Sequence, residues 1–164
     1  MIALQIKNIK DFMNHLLLQN TFDNFLVSEA SITTFTTFSI TGDLRKEFFD
    51  PELAESADLQ SRTQVLWKEI RPFCLSVIKG KRTPLSFKFV FQLPEGPLCS
   101  LLSEAELSLQ PEDVYGLFFN CQFHADQLTL TTGSSLRVFS LDRSLDQAWD
   151  KKLTAFLTEK GLAD

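Results

Sequence analysis

Residues 117–149, LFFNCQFHADQLTLTTGSSLRVFSLDRSLDQAW, constrain the fold more than any other stretch of this chain. Side chains alternate between faces along a strand. Leu117, Phe119, Cys121 and Phe123 therefore share one face, and Asn120, Gln122 and His124 the other. With Ala125-Asp126 as a two-residue turn, Phe123 meets Leu128, Cys121 meets Leu130, Gln122 meets Thr129 and Asn120 meets Thr131. A one-residue slip would set Phe against Thr throughout, so burial fixes this register. A second turn is expected within Thr131-Thr132-Gly133-Ser134. Leu136 and Val138 would then return beside Leu128 and Leu130 through a three-residue loop with glycine in the left-handed position. The reading is a three-stranded meander.

A helix follows. Ser144 with Gln147 has the spacing of a capping box, and Asp142 is a competing cap. Leu145, Ala148, Trp149, Leu153, Phe156 and Leu157 form one apolar stripe, and Gly161 is a natural terminator. The apolar face of the meander is the surface this stripe needs.

Upstream, Ile2–Ile6 alternates as a short strand, and Asn8 caps a helix carrying Ile9, Phe12, Met13, Leu16 and Leu17. Residues 25–49 are β-rich. Thr33–Ile40 reads as a strand, Thr41-Gly42-Asp43 as a turn and Leu44–Phe49 as a second strand. Asp50–Asp58 reads as an acidic loop. Leu59–Lys79 reads as helical, with Leu66, Ile70, Phe73, Cys74 and Val77 on one face and Pro72 marking a kink or a junction of two helices. Pro84 opens a strand with Leu85, Phe87, Phe89, Phe91 and Leu93 on one face. Pro94–Pro97 is a turn, and 98–109 is ambiguous between a short helix and a strand. The fold class is α+β: a mostly antiparallel sheet of about five to seven strands with helices on one face, in one domain spanning 1–164.

A chain of 164 residues buries roughly two-thirds of its unfolded surface, enough for stability without metals or disulfides. Sixteen Phe against one Tyr and two Trp imply a core, or a cavity wall, built from rings without hydrogen-bonding groups. A net charge of −5 argues against a broad nucleic-acid surface. Cys74, Cys99 and Cys121 cannot all pair and have no metal-ligand spacing; Cys74 and Cys121 read as buried apolar groups. No signal peptide is apparent at the N-terminus, and no run approaches the roughly 20 apolar residues of a membrane span. A cytoplasmic location is expected.

Motifs carrying chemistry are sparse. Cys121 and His124 lie three apart on a strand, hence on opposite faces, which opposes a Cys–His pair. His15 flanks an apolar stripe and reads as solvated. Thr131–Ser135 lacks phosphate-loop spacing. Asp50, Glu52, Glu55 and Asp58 read as solvated. Lys79, Lys81, Arg82 and Lys88 form the sole basic cluster and are the candidates for an anion patch, against the plainer reading of a helix C-terminal cation with solvated neighbours. No catalytic, cofactor-binding or metal-binding residue is assigned.

The stretch TTGSSLRVFSLDRSLDQAWD, preceded by GLFFNCQF, resembles the C-terminal signature of an uncharacterised family of small proteins from anaerobic Gram-positive bacteria, and FDNFLVSEASITTF is similar to that family's N-terminal half. The resemblance implies no activity. It marks Thr131, Thr132, Gly133, Phe139, Asp142 and Trp149 as family-typical positions, all readable as turn, core or cap. The leading expectation is a non-enzymatic cytosolic interaction or accessory protein without a cofactor. The alternative is a binder of a small apolar ligand in a Phe-lined cavity between sheet and helix, and a Cys- or His-dependent enzyme ranks last.

Overall fold

A computed structural model of the chain describes residues 1–163. Six strands form one antiparallel sheet: β1 Ala3–Ile6, β2 Leu26–Thr33, β3 Thr37–Thr41, β4 Ser86–Gln92, β5 Val114–His124 and β6 Gln127–Leu136, in the order β1-β6-β5-β4-β2-β3. The helices are α1 Ile9–Leu17, α2 Pro51–Ala54, α3 Ala57–Gln60, α4 Trp67–Ile78, α5 Glu95–Glu104 and α6 Ser144–Glu159. The chain is α+β, as its periodicities require.

The β5–β6 hairpin has the expected register. Phe123 lies opposite Leu128, Cys121 opposite Leu130, Gln122 opposite Thr129 and Asn120 opposite Thr131. Ala125 and Asp126 turn with φ of 51° and 63°, the positive pair that a two-residue hairpin turn matching strand twist demands. Leu117, Phe119 and Cys121 are fully buried beneath the helices, while Gln122 and His124 face solvent.

The second hairpin does not form. β6 runs straight through Thr131–Ser135, with Gly133 opposite Phe118 and Leu136 opposite Val114. Leu128, Leu130 and Leu136 share a parity, and an unbroken strand satisfies that as well as a three-residue loop does. The strand beside β6 is β1, with Ala3 opposite Thr131 and Ile6 opposite Leu128. The meander at the end of the chain is thus β4-β5-β6. Val138 and Phe139 belong to a loop, and Phe139, read as core, is 90% exposed.

Other local signals were displaced by tertiary pairing. The Thr33–Ile40 run bends at residues 34–36, splitting into the β2–β3 hairpin, and Leu44–Phe49 contributes a 3-10 turn rather than a strand. The acidic loop folds as α2 and α3; Asp50 is the N-cap position of α2 with Pro51 first in the helix, where its missing N–H costs nothing. The helix expected over Leu59–Lys79 is broken: an extended segment follows α3, and α4 starts only at Trp67 with Pro72 inside it. Phe73 faces solvent, whereas Ile70 and Cys74 are buried. Leu85 is exposed, just before β4. Pro94–Pro97 opens α5, so 98–109 is helical as far as Glu104. Asn8 caps α1, accepting from Asp11 N–H at 3.0 Å. The Ser144–Gln147 box is absent; Asp142 instead accepts from the Ser144 N–H at 2.9 Å and hydroxyl at 2.6 Å, which lowers the Asp142 pKa.

The extended segment is a structural wedge. β2 and β3 separate at one end, and residues 63–66 enter between them. Val27 N–H donates to Val65 O, Val65 N–H to Gly42 O, and Leu44 N–H to Thr63 O, all at 2.8–2.9 Å. β2 bulges between Val27 and Glu29 to allow this. Gly42 sits in the fork, where a Cβ would lie 1.7 Å from the Val27 carbonyl oxygen. Gly42→Ala must therefore push the backbone apart, and we expect a loss of more than about 2 kcal/mol, the range of forced overpacking, in a urea titration. A loss below about 0.5 kcal/mol would mean that the wedge is loosely held.

Candidate functional site

A cleft of about 1210 Å³ opens at the end of the sheet where the wedge enters. Six segments meet there: the residues before β2, the wedge with the α3 residues ahead of it, the β4–α5 junction, the start of β5 with the residues before it, Arg137 just after β6, and Phe156 of α6. Both strand irregularities lie at this end, the β2 bulge and a register shift in β5 between Val114 and Gly116. Bulges end regular pairing and re-aim side chains. Phe25, Leu26, Leu66, Leu98, Val114 and Phe156 supply the apolar wall. Gln64, Gln92, Tyr115 and Arg137 add polar groups, and the Arg137 guanidinium lies 5.4 Å above the Tyr115 ring. Gln92 Nε2 donates to Tyr115 O at 3.4 Å, holding the mouth of the sheet together.

Arg62 fixes the wedge and forms part of the cleft wall. Its side chain is nearly enclosed. Nη1 donates to Glu69 Oε1 at 2.6 Å and to Gln64 O at 2.9 Å; Nη2 donates to Glu69 Oε2 at 3.1 Å and to Asp58 Oδ2 at 3.2 Å. Glu69 Oε1 also accepts from Leu66 N–H at 2.7 Å, an orphan donor at the start of α4. One guanidinium thus ties α3, the wedge and α4 together. The Arg62 Nε–H is buried without a partner. Burial pushes the Glu69 carboxyl up, but Arg62 and the Leu66 N–H outweigh it, so its pKa falls below the ordinary 4.5. A depressed acid contributes stability that is complete above its unfolded pKa and is lost as pH falls through the folded value. Glu69→Gln should therefore destabilise the protein at pH 7, and the gap to wild type should close in melts taken progressively below pH 4.5. A pH-independent gap would show that packing, not charge, is what Glu69 supplies.

The sequence offered no pointer to Arg62. Asp58, in α3, stays largely exposed, as a solvated acid would, and it also pairs with Arg62 four residues on, just past the end of that helix. A second clamp, Arg71 Nε to Asp23 Oδ1 at 2.9 Å and Nη2 to Oδ2 at 3.1 Å, holds α4 against the segment leading into β2.

The basic candidates do not stay together. Lys79, Lys81 and Arg82 rim a smaller pit of about 340 Å³ floored by Met13, Leu17, Leu75 and Phe123. Lys88 is on the solvated face of the sheet, 3.5 Å from Glu29. Cys121 is buried against the helices, and its pKa is raised by burial; His124 lies on the opposite face. His15 Nδ1 is 2.7 Å from the Thr21 hydroxyl. Thr132, in the stretch read as a loop, is buried and donates its hydroxyl to Asp150 at 2.5 Å, pinning β6 to α6. Among the described residues no group of His, Cys, Asp and Glu could hold a metal ion.

The model of a family of unknown function, DUF5721, matches residues 15–163. The chain belongs to that family. Comparison with curated proteins and with solved structures gives no match. The DUF5721 match spans every element named here except β1 and most of α1, and both the Arg62 cluster and the Arg71–Asp23 pair lie within it.

The three thiols differ sharply. Cys74 and Cys121 are buried, the former with its pKa pushed up to about 12, whereas Cys99 is exposed on the cleft wall. In the native state a maleimide should label one thiol per chain rapidly, and Cys99→Ser should abolish that fast phase. Rapid native labelling of Cys121 would contradict the packing of β5.

Proposed function

We propose that this DUF5721 protein is a non-enzymatic binding protein whose sheet-end cleft takes one small, mainly apolar, uncharged ligand. The observation that carries the reading is the cleft's volume of about 1210 Å³ in combination with its mixed lining. Small-molecule sites are concave and largely apolar, roughly 300–1,000 Å³, with a few polar groups that orient the ligand; this cleft is somewhat roomier than that, and open on one side. The charges support an uncharged occupant. Asp58 and Glu69 neutralise Arg62, and Glu95 and Glu112 stand around the same cleft as Arg137, leaving no net positive field to recruit an anion.

This is not the Phe-lined interior cavity suggested by composition. Phe12, Phe22, Phe89, Phe91 and Phe119 are fully buried against one another, and only Phe25 and Phe156 reach this cleft. Exposed apolar residues such as Phe35, Phe48, Phe73 and Phe139 sit on separate elements, which favours a ligand binder over a protein-docking face as the main role. As part of the same proposal, the protein works in the cytoplasm of an anaerobic Gram-positive bacterium. The resemblance supplies that origin, and three free cysteines, one exposed, suit a reducing compartment.

Gly96 offers the test. It lines the cleft in the first turn of α5, and a Cβ there meets nothing within 4 Å. Gly96→Trp should leave the melting temperature close to wild type while placing an indole in the cleft. A neutral solvatochromic dye such as Nile red should bind wild type saturably at one site per chain, and the variant should weaken it by roughly tenfold or more, about 1.4 kcal/mol. Absence of saturable binding, or equal binding by the variant, would overturn the proposal. Native mass spectrometry of protein from its own cells would then name the ligand.

A further inference from the structure

The sheet ends on one side at β3, Thr37-Phe38-Ser39-Ile40-Thr41, and this edge carries none of the usual protections. It has no charged side chain, no proline and no bulge, and four of its five residues are exposed, with Ile40 half-buried. The direction of its free hydrogen-bonding groups follows from the neighbouring bonds. Gly42 N–H donates to Ser28 O, and Leu85 N–H donates to Thr33 O from the β4 side. Even-numbered residues of β2 and β3 therefore bond to each other, opposite in the pairs Ile32–Phe38 and Ala30–Ile40. The N–H and C=O groups of Thr37, Ser39 and Thr41 point away from β2, along the open edge.

The side chains divide the same way. Phe38 and Ile40 share the helix-side face with Ile32 and Ala30, yet they lie beyond the cover of the helices and stay partly exposed. Thr37, Ser39 and Thr41 lie on the solvated face with Thr33, Ser31 and Glu29.

We propose that β3 pairs with β3 of a second copy of this chain, antiparallel, about a two-fold axis through Ser39. The strand is self-complementary about that residue. Thr37 falls opposite Thr41 of the second copy, Phe38 opposite its Ile40, and Ser39 opposite its Ser39. Every outward backbone group then finds a partner, giving six inter-chain hydrogen bonds. Phe38 and Ile40 form the closely approached, non-hydrogen-bonded pairs, where cross-strand apolar contact is strongest. The charges agree: the nearest one along the edge, Asp43, meets Phe35 of the second copy, so no like charges oppose. A one-residue slip turns the bonding groups out of phase, and a two-residue slip leaves one outward residue at each end without a partner, so the register is specified. The isologous pairing closes on itself and does not run on into fibres. A five-residue strand pair falls below the roughly 1,200 Å² of a standard interface, so the dimer is a weak, concentration-dependent one.

Sedimentation velocity from about 5 µM to about 1 mM should show a reversible monomer–dimer equilibrium, the behaviour of an interface below standard size. Ser39 is the discriminating position because its side chain is on the solvated face and its own N–H and C=O are the ones that cross the axis. Ser39→Lys and Ser39→Glu should each be monomeric throughout, with unchanged melting temperature at low concentration, because like charges would stand directly opposite. Mixed in equal amounts, the two should dimerise again. A wild-type protein monomeric over the whole range would overturn the proposal. So would dimers that persist in both single variants, or variants that stay folded and fail to restore a dimer when mixed.

Discussion

Phe91 of β4 and Phe119 of β5 lie opposite each other in the sheet and stack with ring centroids 4.8 Å apart. The helical layer is built over this pair. Phe22, in the segment between α1 and β2, lies 5.9 Å from Phe91 and 6.0 Å from Phe119, and also 5.5 Å from Phe12 of α1 and 5.9 Å from Phe156 of α6. Trp67, first residue of α4, packs edge-on to Phe91 at 5.2 Å. Helices α1, α4 and α6 thus all reach one aromatic cluster. Burial of each ring contributes roughly 1.5–3 kcal/mol and each well-placed pair roughly 0.5–1.5 kcal/mol more, so the cluster outweighs any polar interaction in the molecule. The two tryptophans add direction to this packing. Trp67 Nε1–H donates to Leu16 O and Trp149 Nε1–H to Phe118 O, each at 2.8 Å, which fixes α4 against α1 and α6 against β5.

Features governed by local alternation could be read from the residues alone. The β5–β6 register follows from Phe123, Cys121, Leu128 and Leu130, because each pairing is decided by burial on one face and the two strands are joined by two residues. The start of α1 at Asn8 and the stripe of α6 are local in the same sense. What failed was non-local. β1 closes onto β6 from the other end of the chain; Ile2 N–H donates to the Thr132 hydroxyl across 130 residues of sequence. No local pattern announces such a partner, and Thr131–Ser135, rich in glycine and hydroxyls, imitates a turn once that partner is left out. Phe73 and Phe139 misled for the related reason that an apolar residue on a stripe is buried only where another element covers it.

The cleft was invisible in the residues for a geometric reason. Its wall is assembled from six segments, none with a recognisable motif, and it exists because β2 and β3 part at Gly42 to admit residues 63–66. Arg62 is held at that point because the wedge brings its nearly enclosed guanidinium beside Glu69, the Gln64 carbonyl and the exposed Asp58. Removal of one partner of such a group strands the other, which is costly, whereas the intact cluster contributes little beyond a hydrophobic replacement. Its role is placement: it holds Gln64 and Leu66 on the cleft wall instead of letting the segment continue α3 as a helix.

The same arrangement separates the two proposed surfaces. Cover over the sheet is centred on β4, β5 and β6, and α4 reaches as far as β2, so β3 lies beyond the helical layer with Phe38 and Ile40 only partly covered. None of residues 37–41 lines the cleft, which opens at the end of the sheet rather than at its side. Pairing through β3 would join two sheets edge to edge and leave both clefts open to solvent. A ligand in the cleft, in turn, touches the wedge that separates β3 from β2 at Gly42. The wedge and β2, whose Leu26 lines the cleft, are therefore both in contact with the two surfaces, and they are the elements through which occupancy of the cleft would be coupled to pairing of the edges.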